Sequence, residues 1–255
     1  MHVFSQCLER TVTIGASRET VFRFFTDSAR WASWWGTGSS IDARVGGEVK
    51  VRHPNRVEFL GVVQEITVPE KIVFTYGDAG GSPIPRDGSL VTIRLEAIEG
   101  GTRLSLTHEF AEESVRDLYV QGWRFQLSLF GNVVANEVQA GAAGVVDAWY
   151  GAWVVADSGE RMRALEGIAS ARVRFRDRFS LLDGLEEVNA HMGASQRFVP
   201  GVRLERRGSV RHCQGTVLSD WVALGQDGKE LVTGTSVFSM GPEGKINAVT
   251  GVTNP

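Results

Sequence analysis

Cysteine is nearly absent. Cys7 and Cys213 are the two in 255 residues, far apart and without CxxC spacing. That argues against a disulfide framework and a cysteine zinc site, and a reducing cytoplasm is the expected location. Long apolar runs are missing too. No stretch approaches the ~18 residues that cross a bilayer. The opening MHVFSQCLERTVTI has no basic segment followed by a long apolar one, so no membrane association and no secretion signal are expected. A basic excess is also lacking: 27 Lys and Arg face 30 Asp and Glu, a net charge of −3. A nucleic-acid binder would show the opposite balance on one face. The five histidines (His2, His53, His108, His191 and His212) have neither HxH nor HExxH spacing, so no metal is expected. Residues 77–88 are glycine-rich but lack GK[ST], and GxSxG does not occur. Neither a phosphate cradle nor a nucleophile elbow is indicated, and no cofactor is expected.

Apolar side chains are plentiful, at 42%. At roughly 100–150 residues per domain the length predicts two domains. Residues 10–14 alternate and read as a strand. Ser17 stands where a helix N-cap belongs, with Glu19 in the first turn, and Val21, Phe22, Phe24 and Phe25 supply an apolar helical face. Trp31, Trp34 and Trp35 follow. Strands are expected at about 48–52, 57–66, 72–76, 90–97 and 102–110, separated by Gly, Pro and Asn breakers, the pattern of an antiparallel meander. A long helix should run from 112 to about 138. The small, uncharged QAGAAG at 139–144 reads as a linker. Beyond it, helices are expected around Val145–Val154, at 159–169 and at 183–192. Strands are expected at 172–179, 202–207, 210–224, 230–240 and 245–252. The fold class is therefore α+β throughout, with domains at 1–138 and 145–255.

An ordered set of residues in the first half carries a resemblance. It comprises Val21-Phe22, Phe25-Thr26-Asp27, Trp31, Trp34-Trp35, Gly46-Gly47, Gly61-Val-Val-Gln-Glu65, Pro69-Glu70-Lys71-Ile72, Phe74-Thr75-Tyr76, Gly101-Thr102, Leu106-Thr107-His108 and Gly122-Trp123. It resembles the Hsp90-ATPase-activator-like (AHSA1-like) branch of the START/SRPBCC superfamily. That implies a helix-grip fold, in which a curved antiparallel sheet grips one long C-terminal helix around a cavity. In the second half, Trp149, Trp153, Asp157, Phe175-Arg-Asp177, Gly184-Leu-Glu-Glu187, His191, Phe198-Val-Pro200-Gly201, Trp221 and Gly244-Lys245-Ile246 resemble the SnoaL-like branch of the NTF2-like superfamily. That resemblance implies an α+β cone with a pocket at its wide end and, in many members, a homodimer formed through this domain. Both superfamilies host many activities, so the fold alone fixes no reaction.

The strand expected at 172–179 gives the sharpest local argument. Alternation places Val173, Phe175, Asp177 and Phe179 on one face and Arg172, Arg174, Arg176 and Arg178 on the other. A carboxylate among Phe and Val is costly unless it is hydrogen-bonded, protonated or in use as a base. Asp177 is thus a general base, a cap of the following turn or the partner of an arginine. The resemblance places it about where steroid-isomerase-like members keep their base. It puts Trp149 and Ser236 where those enzymes keep oxyanion donors, with Tyr150 turned about 100° away on the helix. His191 and Ser236 are the candidate assistants. The arginine face is either a solvated or dimer-facing surface or a patch for an acidic partner. Ligand-binding candidates are Trp31, Trp34, Trp35, Tyr76, His108 and Trp123 in the first domain, and Trp149, Trp153, Phe175 and Trp221 in the second. Their flat faces suit a ring-bearing or acyl ligand. The expected function is binding of a hydrophobic small molecule in one or both pockets. The alternative is an isomerase, cyclase or hydrolase on a polyketide- or steroid-like substrate with Asp177 as base.

Overall fold

In the computed structural model, which describes residues 4–254, strand β1 (Gln6–Ile14) hands over to α1 (Arg18–Arg23) at a side-chain cap. Ser17 accepts the Thr20 N–H, as expected for that residue type. Asp27 caps α2 (Ser28–Trp35) in the same way through the Arg30 N–H. The tryptophan-rich segment is therefore helical. Trp31, Trp34 and Trp35 lie within one turn of each other, and all three are buried. His2 lies outside the described residues.

The strands then run β2 (Ser40–Ile41), β3 (Glu48–Arg52), β4 (Glu58–Thr67), β5 (Lys71–Asp78), β6 (Ser89–Ile98) and β7 (Gly101–Phe110). They pair antiparallel throughout in the order β1-β7-β6-β5-β4-β3-β2. The meander places each hairpin neighbour beside its partner, and β7 closes on β1. The inward face alternates: Val91, Ile93 and Leu95 on β6, and Leu104, Leu106, His108 and Phe110 on β7, are buried. α3 (Glu113–Val138) lays Trp123, Leu127, Phe130 and Val134 against the interior. Phe130 meets Phe25 at 5.1 Å and Trp34 at 4.8 Å between ring centroids.

The chain divides into two units at Ala135/Asn136. Of the residues expected as a linker, 139–141 lie between helices and Ala142 already begins α4 (Ala142–Ala152). α5 (Ser158–Ile168) follows, capped by Asp157 through the Glu160 N–H. Next come β8 (Ala169–Arg176), β9 (Leu181–Asp183), α6 (Leu185–Phe198), β10 (Arg203–Cys213), β11 (Thr216–Leu224), β12 (Glu230–Met240) and β13 (Ile246–Thr253). The sheet order is β10-β11-β12-β13-β8-β9, antiparallel except where β13 lies parallel to β8. Trp149, Leu165, Val173, Val188, Met192 and Phe238 form the core between this sheet and the helices. Arg161, 3% exposed, ties the α4–α5 connection down by donating to the Val155 and Asn189 carbonyls and to Asn189 Oδ1.

Two expectations about strands are corrected. The turn expected at 208–209 is a bulge within β10, between Arg207 and Arg211. The hairpin turn falls at Gln214-Gly215, both with positive φ, at 45° and 85°. The strand expected to reach Phe179 ends at Arg176 because the Asp177 side chain takes the Phe179 N–H at 2.8 Å. That side-chain turn competes with the ladder. It leaves Asp177 half-buried and Phe179 81% exposed. Arg172, Arg174 and Arg176 do face out of the sheet.

Candidate functional site

Helix α4, strand β8 and strand β11 each contribute an aromatic wall to one cavity in the C-terminal unit, with a volume of about 340 Å³. Trp149 and Trp153 come from α4 and its C-cap, Phe175 from β8 and Trp221 from β11. Phe175 lies 6.0 Å from Trp149 and 5.7 Å from Trp153 between centroids. Gly234 on β12 is the register partner of Trp221, and a Cβ there would stand 2.3 Å from the indole. A glycine inside a strand here admits a ring lying across the sheet.

Few polar groups enter this apolar space. Asp177, His191 and Ser236 line it, together with all four aromatic candidates. Tyr150 also lines it, contrary to the expectation from the helical wheel. Helix α4 is covered over a wide arc, so neighbours about 100° apart are both buried, Trp149 at 1% and Tyr150 at 3% exposed. The Tyr150 hydroxyl reaches the Ser219 carbonyl at 3.5 Å. Burial pushes its pKa up, although hydrogen bonds to Ser219 and Ser236 partly offset this, so it stays a protonated donor. Sequence reasoning also missed Ser180, whose Oγ sits 3.2 Å from His191 Nε2 inside the lining. Its only sequence signal was its place just beyond Asp177. The His191 ring is held by Trp153, edge-on at 5.7 Å, and by Phe175 at 6.0 Å. The Trp153 indole N–H is buried without an acceptor.

The N-terminal unit holds a second cavity of about 390 Å³. Of its six candidates, Trp35, Tyr76 and Trp123 line it. Trp31 and Trp34 do not. They are core residues whose indole N–H groups go to the Lys50 and Phe24 carbonyls. His108 does not line it either; it stands behind the wall, with none of its surface exposed. The Trp123 indole can only donate, so its 2.9 Å contact makes His108 Nδ1 the acceptor and puts the ring proton on Nε2. Nε2 then donates to Ser89 Oγ at 2.8 Å, and Ser89 donates to the Tyr76 carbonyl at 2.5 Å. Burial depresses the His108 pKa to about 3, so the chain is neutral and saturated. His53, just before Pro54-Asn55, is half-buried, packs edge-on against Trp35 and Phe59, and lines the cavity. Burial lowers its pKa as well. Phe59, Leu118, Tyr119, Phe125 and Gln126 are among the other lining residues, and no Asp, Glu, Lys or Arg takes part.

No group of His, Cys, Asp and Glu among the described residues is arranged to hold a metal ion, and no described helix is long and apolar enough to cross a membrane.

Residues 15–135 match the family model described as Activator of Hsp90 ATPase homolog 1-like protein, just under half of the chain. The N-terminal half resembles that family. No curated protein matches the chain. Among solved structures, a SnoaL-like family protein from Agrobacterium tumefaciens, provisionally described as an isomerase, is 22% identical. It covers 44% of this chain and 97% of its own, with a TM-score of 0.43. A protein from Mesorhizobium loti is 16% identical over 51% of this chain and 98% of its own, with a TM-score of 0.46. The Aha1 dimer from Colwellia psychrerythraea is 19% identical over 49% of this chain and 92% of its own, with a TM-score of 0.41.

Proposed function

We propose that the C-terminal unit binds a hydrophobic, ring-bearing small molecule in its cavity, and that the N-terminal cavity takes an apolar ligand of its own. One observation carries the reading: a half-open pocket of about 340 Å³ with four aromatic walls and convergent polar groups. Apolar spaces of that size with sparse polar contacts are the usual form of small-molecule sites. The aromatic faces supply contact area at low entropic cost, and the polar groups orient the ligand. Cys7 and Cys213 are exposed and not joined in a disulfide, which fits a cytoplasmic setting. Exposed Leu231 and Val252 on the neighbouring strands β12 and β13 support pairing of two copies through this unit.

Ala223 lines the cavity at 4% exposure, so Ala223→Leu fills space the ligand needs. Binding of the neutral dye N-phenyl-1-naphthylamine, followed by fluorescence, should weaken about tenfold or more, since overfilling a packed site costs ~1–3 kcal/mol. Unchanged affinity in a variant that melts normally would remove the site.

A second reading makes this cavity an isomerase, cyclase or hydrolase site for a polyketide- or steroid-like substrate. It rests on Asp177 sharing the lining with the hydroxyls of Tyr150 and Ser236, a base and two donors of the kind an enolate needs. Asp177→Asn should then lower kcat on such a substrate about 10²-fold or more while leaving dye binding intact. Full turnover by that variant excludes the carboxylate as base.

A further inference from the structure

We propose that Ser180 and His191 form a nucleophile–base pair that cleaves a carboxylic ester whose hydrophobic acyl part occupies the C-terminal cavity. The inference rests on the reading of that cavity as a hydrophobic binding site, and it adds a reaction that the Asp177 base does not perform.

The first support is distance. Ser180 Oγ lies 3.2 Å from His191 Nε2, within the reach required for a base to take the hydroxyl proton, and both residues line the cavity. Rigidity is the second. Ser180 closes a tight turn in which the Asp177 N–H donates to the Ser180 carbonyl at 3.0 Å and the Phe179 N–H donates to Asp177 Oδ1 at 2.8 Å. The nucleophile is thereby fixed where the chain leaves β8. Third, the His191 ring packs against Trp153 and Phe175, which also pack on each other at 5.7 Å. In many serine hydrolases a carboxylate orients the imidazole; here two aromatic rings limit its rotation. Finally, the Tyr150 and Ser236 hydroxyls and the Arg178 guanidinium share the lining, as groups to answer negative charge on a carbonyl oxygen.

With the His191 proton on Nδ1, the Nε2 lone pair faces the Ser180 hydroxyl. Ser180 Oγ bonds to the ester carbonyl carbon as its proton passes to Nε2. The tetrahedral adduct collapses, the C–O bond to the alcohol breaks, and the alcohol leaves with the proton from Nε2. Water then attacks the acyl-Ser180, giving its proton to Nε2. The acid departs, and Ser180 Oγ recovers that proton. No oxidant, reductant or metal enters the balance. The cavity volume and its apolar walls select an uncharged ester of moderate size.

Asp177 acts in this scheme as a positioning residue. Its Oδ1 already accepts the Phe179 N–H, and an asparagine oxygen makes the same bond. The full chain is treated with an alkyl fluorophosphonate and examined by intact-mass and peptide mass spectrometry, with dye binding and melting recorded for each variant. The wild-type protein should gain one adduct, on Ser180. Ser180→Ala should gain none, and His191→Gln should label about 10²-fold more slowly. A wild-type protein without an adduct, an adduct that persists in Ser180→Ala, or unchanged labelling in His191→Gln each overturns the pair. Dye binding without labelling overturns the pair and leaves the binding reading standing. Labelling of Ser180 without dye binding does the reverse.

Discussion

Gly61→Ala should unfold the N-terminal unit at a markedly lower denaturant concentration, with a loss of at least ~3 kcal/mol, because the added atom meets backbone that has nowhere to go. A Cβ at Gly61 would stand 1.7 Å from the Thr75 carbonyl oxygen and 2.6 Å from its carbon. That carbonyl belongs to β5, the neighbouring strand. There the ladder between Leu60↔Gly77 and Val63↔Phe74 is replaced by a bond from the Val62 N–H to Thr75 Oγ1. Thr75 Oγ1 in turn donates to Asp87. Making room for the methyl would part β4 from β5 and break this relay, and Tyr76, a wall of the cavity, is the next residue along. Gly122 supplies the control. Nothing lies within 4 Å of a Cβ there, and the residue sits in α3 on the cavity lining. Gly122→Ala should therefore raise stability by ~0.5–1 kcal/mol through helix propensity while narrowing the cavity. Urea unfolding of the two variants should move in opposite directions. A Gly61→Ala protein as stable as the parent would mean that the close approach of β4 and β5 is wrong.

The stability of the N-terminal unit should also fall as the pH drops from neutrality, owing to His108. Its folded-state pKa of about 3 lies below the ~6.5 of an unfolded chain. The stabilisation is therefore complete above pH ~6.5 and is lost as the pH falls toward 3, because the unfolded chain takes up the proton first. One proton gives ~1.4 kcal/mol per pH unit well below 6.5, or about 2 kcal/mol between pH 7.5 and 5. His53, lowered in the same direction, adds to the slope. Chemical denaturation at a series of pH values should show that dependence, reduced in His108→Gln. The imidazole resonances of His108 should stay flat down to pH 4. A normal titration near pH 6.5 would refute the closed hydrogen-bond chain.

Where side-chain periodicity decides the structure, the sequence was a good guide. The β6 and β7 alternation, the Ser17 cap and the apolar stripe of α3 are local signals, and the elements follow them. The misreadings come from groups whose role depends on what lies across from them. Gly208 and Gly215 carry the same conformational freedom, with φ of 75° and 85°, and nothing local tells a bulge from a hairpin. Asp177 matched the strand alternation, yet its side chain captured the Phe179 N–H and ended the strand. In the candidate site, Trp149, Trp153, Phe175 and Trp221 were legible because large aromatics at helix and strand spacing must find a common interior. Tyr150 was misjudged because the width of a helix's covered arc is a property of its neighbours. His108, a ligand-binding candidate, stands behind the cavity wall, while His53, not a candidate, lines it. A turn residue can be drawn under an aromatic lid, while a strand histidine can be consumed by partners distant in sequence. The parallel pairing of β8 with β13 left no local trace at all.

The Trp123–His108–Ser89–Tyr76 chain also fixes a dimension. Trp123 belongs to the helix and Tyr76 to the sheet, and both are walls of the same cavity. Three donors point the same way between them, and each acceptor along the line is taken. The strut has one length, set by the imidazole between two hydrogen bonds, so the walls it joins cannot drift apart to admit a thicker guest. The N-terminal cavity behaves as a slot of set gauge on that side, and any accommodation falls to the rest of the lining, such as His53 beside the Pro54-Asn55 turn.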